Sequence, residues 1–221
     1  ALHCAAAAGG MPLWRHLAAE RPPAHLPLPE VQIFGGGAHA NRRVDVQDFM
    51  VVPVGAQDYV EALEWVADVY RCAGEIMNDR NLSAGVADEG GFWPLFDTNE
   101  EAIETLLLAI EKSGRRPGED VAISLDIAAS EFGTNGLYRL SREGLELDTE
   151  GMCGMIGEWI ARYPICAIED PLGEDDVSGL ARFTRSNGDR VQVIADDPAV
   201  TQAGRIAVLA EAGACNALLM K

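Results

Sequence analysis

Four apolar runs, at residues 121–126, 165–169, 191–196 and 216–221, predict an α/β fold: a parallel barrel wrapped by helices. Three observations carry that expectation. The runs are continuously apolar, as strands covered on both faces are. Stretches with helical patterning, at 149–162, 175–186 and 203–212, separate them. Each run ends in one charged residue, respectively Asp126, Glu169, Asp196 and Lys221. In a parallel barrel such strand ends converge on one mouth, where catalysis takes place. The charged ends fall roughly 25–45 residues apart, which suits the βα units of a barrel of about 250 residues. An open doubly wound sheet is the alternative, but the GxGxxG phosphate loop that often marks one is absent.

Along the chain, residues 1–20 read as Ala-rich helix. Pro22, Pro23, Pro27 and Pro29 then forbid regular helix, since each removes a donor and restricts its neighbour. That stretch is the expected linker and domain boundary. A strand at 31–34 precedes the loop Gly35-Gly36-Gly37, and a second strand spans 48–54. Val60, Leu63, Val66 and Tyr70 have helical spacing within 57–77. A further strand is expected at 82–87, before the turn Asp88-Glu89-Gly90-Gly91. Thr98 and Glu101 form a capping-box pattern that opens a helix to Ser113, with Gly114 as its stop. Asn135-Gly136 signals a two-residue hairpin.

The bulk numbers narrow the function. At 221 residues and 48% hydrophobic, the chain can bury a core as one domain or a domain plus a piece of another. Its net charge of -18 disfavours nucleic acid, whose phosphates call for a basic face. Cys4, Cys72, Cys153, Cys166 and Cys215 have no CxxC spacing and read as buried thiols in a reducing compartment, hence a cytoplasmic protein. No run is long enough to span a membrane, and no signal-peptide pattern opens the chain. The chain begins without Met inside a helical stretch, so it is expected to be a piece of a longer protein.

Asp126, Glu169 and Asp196 offer only oxygen, which favours a hard cation such as Mg2+. A single acid at a strand end is usually a cap or a solvated residue; three at the ends of apolar strands point to a metal. Lys221 alone would pass for a surface residue, but beside a cation its pKa should fall, which makes it a candidate base. Glu89 lies in a glycine turn that lets backbone approach a ligand. His39 follows a glycine loop, and Gln47 and Asp48 open a strand. Each of these three has an ordinary loop or strand-edge reading when taken alone. Together the parts suggest proton abstraction next to a carboxylate, with metal stabilising the resulting charge and a second acid releasing hydroxide. The net reaction is a β-elimination of water.

These residues resemble the enolase family over nearly the whole chain. Ala38-His39-Ala40 resembles its Ser-His-Ala loop, and Gln47-Asp48-Phe49-Met50 its Gln-Glu-Phe-Met segment. Asp88-Glu89-Gly90-Gly91 matches its Asp-Glu-Gly-Gly turn. Leu125-Asp126, Ile168-Glu169-Asp170-Pro171, Ala195-Asp196-Asp197 and Met220-Lys221 follow in the family's order. The resemblance implies an enolase-type TIM barrel with an early antiparallel portion. Residues 27–221 would form an incomplete barrel domain, and 1–26 the last helices of an N-terminal α+β domain and the Pro-rich linker. It implies Mg2+ on Asp126, Glu169 and Asp196, with Lys221 as the C2 base and Glu89 as the acid; Lys-base chemistry with Mg2+ is a pattern recorded for this superfamily itself. His39, Gln47 and Asp48, with Glu169 and Asp196, would line the substrate. The implied activity is dehydration of 2-phosphoglycerate in glycolysis, by a homodimer when full length.

Two departures matter. Enolases usually carry Asn-Gly-Gly-Ser-His where this chain has Gly35-Gly36-Gly37-Ala38-His39, and Gln-Glu where it has Gln47-Asp48. Such changes keep metal and base but alter the substrate side, so an enolase-like protein acting on a related phospho- or phosphono-hydroxyacid is an alternative. A non-catalytic scaffold is another. The family's phosphate-binding segment is expected beyond Lys221, so residues 1–221 alone are expected to be inactive.

Overall fold

The computed structural model describes residues 1–18 and 26–221. The expected N-terminal helix is two short ones, α1 (Leu2–Ala8) and α2 (Leu13–Ala18). Gly10, at φ +65°, and Pro12 break the Ala-rich run that composition alone reads as continuous. The expected linker falls partly on residues 19–25, outside the described residues.

The strands are β1 (Val31–Gly35), β2 (Asp48–Val52), β3 (Ser83–Val86), β4 (Phe92–Pro94), β5 (Ala122–Asp126), β6 (Gly133–Thr134), β7 (Leu137–Leu140), β8 (Leu145–Asp148), β9 (Ile165–Glu169), β10 (Gln192–Ala195) and β11 (Ala217–Leu218). Eight form one sheet, in the order β11-β10-β9-β5-β2-β1-β4-β3. From β5 onward each strand adds parallel to the last on the same edge. That one-way progression is barrel winding; a doubly wound sheet reverses at a switch point. β2 runs antiparallel to both β1 and β5, which gives the antiparallel opening.

Long helices cover the outer face: α3 (Tyr59–Arg80), α4 (Asn99–Lys112), α5 (Thr149–Arg162), α6 (Val177–Asn187) and α7 (Ala203–Ala212). Their starts are chemically marked. Asp58, Thr98, Asp148 and Asp176 each accept backbone N–H bonds as N-caps. In α4, Glu101 reaches back to the Asp97 N–H rather than to Thr98, a one-residue variant of the expected box. Leu106, Ile110, Ile123, Leu125, Met152, Ile168, Phe183 and Val193 are buried in one continuous core between helices and sheet. The five cysteines are free, but only Cys72 is buried as expected: Cys153, Cys166 and Cys215 are half-buried, and Cys4 is exposed on a short terminal helix. Among the described residues, no helix is long and apolar enough to cross a membrane.

Two expected elements form with a neighbouring strand that was not expected, and one is shorter than expected. The strand expected at 82–87 is the exposed β3, folded back antiparallel on β4, which the sequence reading leaves out. The strand expected at 216–221 pairs only at Ala217 and Leu218, so Lys221 lies beyond the ladder. The Asn135-Gly136 hairpin forms between β6 and β7, with both turn residues at positive φ, and acquires an unexpected third strand, β8.

This small sheet and α4 anchor the loop that joins β1 to β2. Asn99, fully buried, accepts the N–H groups of Asp45 and Val46 at 3.0 Å each. Its amide donates to Glu143 at 2.7 Å, and Asp45 accepts the Ser141 N–H at 3.0 Å. Without Asn99, two buried donors lose their partner. Asn99→Ala should therefore lower unfolding free energy by about 1–3 kcal/mol in urea titration.

Candidate active site

The site is built by register. Asp48 stands opposite Asp126 across β2 and β5, and Asp126 stands opposite Glu169 across β5 and β9. Three carboxylates thus form one row on neighbouring strands, about 4.8 Å apart by strand spacing. All are buried: Asp48 is 4% exposed, Asp126 8% and Glu169 6%. Asp196 follows β10, whose Ile194 pairs with Glu169, so it sits one step further around the mouth. Lys221 Nζ lies 2.7 Å from Asp196 Oδ2, and the Lys221 N–H donates to the Thr201 hydroxyl at 3.2 Å.

Crowding of like charge out of water dominates the electrostatics. Burial, then Glu169, Asp48 and Asp170, push Asp126 well above the usual carboxylate range. Burial first, then Asp170 and Asp196, raise Glu169 to about 8. The hydrogen bond to Asp196 lifts the Lys221 ammonium above its ordinary value. The sequence reading expects a depressed lysine; that expectation refers to a lysine beside a cation, whereas here the lysine faces carboxylates.

Neighbours fix the row in place. Gln47 donates from its backbone to the Asp126 carbonyl at 3.0 Å and from Nε2 to Asp126 Oδ2 at 2.9 Å. The Ala128 N–H donates to Asp126 Oδ1 at 2.9 Å. Asp170 escapes the sequence reading although it directly follows Glu169. Its carboxylate accepts the N–H groups of Asp196 and Asp197, at 3.0 and 2.8 Å, and so aims the end of β10. Burial raises Asp170 to about 6. Ala128 and Asp170 both adopt positive φ, +46° and +42°, where the chain turns sharply after β5 and β9. Arg42 bonds the Glu131 carbonyl and carboxylate, at 3.0 and 3.1 Å, and so joins the β1–β2 loop to the loop after β5.

The remaining candidates lie around this row. His39 is in the 3-10 turn Gly37–Ala40 of the β1–β2 loop; the role expected of its side chain lies outside what is described. Glu89 is exposed, on the turn from Ala87 to Gly91. That turn is closed by Ala87 N–H to Gly91 O at 2.8 Å and by Tyr70 OH to Gly90 O at 2.7 Å. The structure therefore brings Asp48, Asp126, Glu169, Asp196, Lys221 and Gln47 together, and attaches the Glu89 turn beside them.

Asp126, Glu169 and Asp196 could hold a hard cation. Among the described residues no three such side chains form a ready cage as placed. Gln47 and Ala128 already bond Asp126, and Lys221 bonds Asp196. The donor set still fits a divalent ion: it is all oxygen, and Asp126 and Glu169 are buried and pushed toward their protonated forms by that burial and by neighbouring carboxylates. This has a sign for stability. Glu169 favours folding below 4.5, and that contribution is lost as pH rises toward about 8. In a chelating buffer the melting temperature should fall over this window, and Glu169→Gln should flatten the fall by several degrees while matching the parent near pH 4. Equal slopes in thermal denaturation would count against the crowding.

The family model for the C-terminal TIM barrel domain of enolase matches residues 23–221. The match spans the sheet, its helices and every strand end of the carboxylate row. By fold and by match, the chain belongs to the enolase family, a lyase-type family, through this barrel domain.

Proposed function

We propose that the protein is a Mg2+-dependent hydro-lyase that converts 2-phosphoglycerate to phosphoenolpyruvate, a glycolytic step. One observation supports this above the others: an amine, Lys221, stands 2.7 Å from the last carboxylate of the Asp126, Glu169 and Asp196 set. Such a set can hold a cation, and its base lies next to the place where a substrate carboxylate would bind it. Mg2+, when bound, would supply positive charge to offset that developing on the substrate carboxylate. Lys221 in its neutral form takes the C2 proton, the C2–C3 double bond forms, and the C3–O bond breaks. Glu89 gives its proton to the departing hydroxide, which leaves as water. Gln47 holds Asp126 in position, and His39, Gln47 and Asp48 line the substrate side.

A second reading, dehydration of a related phospho- or phosphono-hydroxyacid, is favoured by the substrate side. Ala38 carries no hydroxyl, and the Asp48 carboxylate accepts a bond from Gln32. The intact protein decides between them. With Mg2+ it should turn over 2-phosphoglycerate. Lys221→Ala should slow C2 proton exchange by about 10²–10⁴-fold while Mg2+ binding by calorimetry persists. Mg2+ binding by a folded protein without turnover would move the assignment to the related acid. Absence of Mg2+ binding would favour a scaffold.

A further inference from the structure

Gln32, on β1, is 5% exposed, and both ends of its amide are used. Nε2 donates to Asp48 Oδ1, and Oε1 accepts the Gly91 N–H at 2.8 Å. The Gly91 partner fixes the amide's orientation, because a backbone N–H can only donate and so must meet Oε1, which leaves Nε2 facing Asp48. The backbone is shaped to let the side chain through. A Cβ on Gly91 would lie 2.6 Å from Gln32 Oε1, and one on Gly35 would lie 2.4 Å from the Ala87 Cβ and 3.1 Å from Gln32 Nε2. A side chain at Gly91 would displace the bridge, and one at Gly35 would collide with Ala87 and crowd the Gln32 amide. The two groups it joins are not ordinary wall residues. Asp48 begins the carboxylate row beside Asp126, and Gly91 closes the turn that carries Glu89.

We infer that Gln32 is a positioning residue, coupling the Glu89 turn to the carboxylate row through Asp48. The inference rests on the lyase reading above, in which Glu89 is the proton donor. It also accounts for the shorter acid at position 48. The reach between β1 and β2 is divided between a long amide and a short carboxylate, and a Glu at 48 would drive its oxygens one methylene further into the Gln32 amide.

The test separates the two halves of the reaction in the intact protein. C2 proton exchange needs Lys221, whereas loss of water also needs Glu89. Gln32→Leu should slow dehydration on the order of 10–100-fold with C2 exchange changed only a few-fold, and should strip hydrogen-exchange protection from the Gly91 amide. Equal slowing of both steps, with Gly91 still protected, would overturn the inference. Should Gln32→Leu fail to fold, the methylene swap replaces it. Gln32→Asn alone should slow dehydration, and adding Asp48→Glu should restore most of the loss; additive losses would overturn the inference. If the unsubstituted protein neither exchanges nor dehydrates 2-phosphoglycerate, the lyase reading fails. Gly91 protection then decides the bridge alone: protection unchanged in Gln32→Leu, or in Gln32→Asn where the leucine variant does not fold, refutes it, and protection lost supports it.

Discussion

Repulsion among carboxylates that strand register forces side by side is the constraint on which this structure turns. Asp48, Asp126 and Glu169 cannot move apart without breaking the β2–β5–β9 ladder. Nor can they be bathed in water, because the mouth buries them. Each must be neutralised by a proton, a hydrogen-bond donor or a cation. Donors that meet them include Gln32, Gln47, the Ala128 N–H and, one strand further, Lys221. Burial, with Asp170 and Asp196 close by, lets Glu169 hold its proton up to about 8.

The surrounding structure serves to hold this unfavourable arrangement still. Asn99 pins the β1–β2 loop from the helix side, and Asp170 pins the end of β10 from within. Positive-φ residues turn the chain sharply straight after the Asp126 and Glu169 ends of β5 and β9. Strain and charge crowding at the strand ends are tolerated because the Ile123, Leu125 and Ile168 face of the same strands is fully buried under the helices. Stability and chemistry thus use alternate residues of the same strands.

Much of this was legible in sequence because it is local. Apolar strands with a terminal acid, the Thr98 N-cap and the Asn135-Gly136 turn each need only neighbouring residues to read. The barrel and the strand-end acids Asp126, Glu169 and Asp196 follow from them, the place of Asp48 opposite Asp126 does not, and the family resemblance supplies the antiparallel start. What escaped depends on partners distant in the chain. Gln32 meets Gly91, Asn99 meets Asp45, and Asp170 meets Asp196, in each case through folding that no window of sequence contains. The β3–β4 hairpin was hidden for a related reason: its strands are short and β3 is exposed, so periodicity is weak. The break at Gly10 and Pro12 was local and visible, but alanine content outweighed it in the reading.

If crowding is relieved by a cation, binding must expel the protons that relieve it otherwise. Calorimetric titration of the intact protein with Mg2+ near pH 7, in buffers of different ionisation enthalpy, counts those protons directly. Release of about one proton or more per ion bound is expected, since Glu169 titrates near 8. Mg2+ binding without proton release, or no binding at all, would contradict a carboxylate row whose crowding a cation relieves.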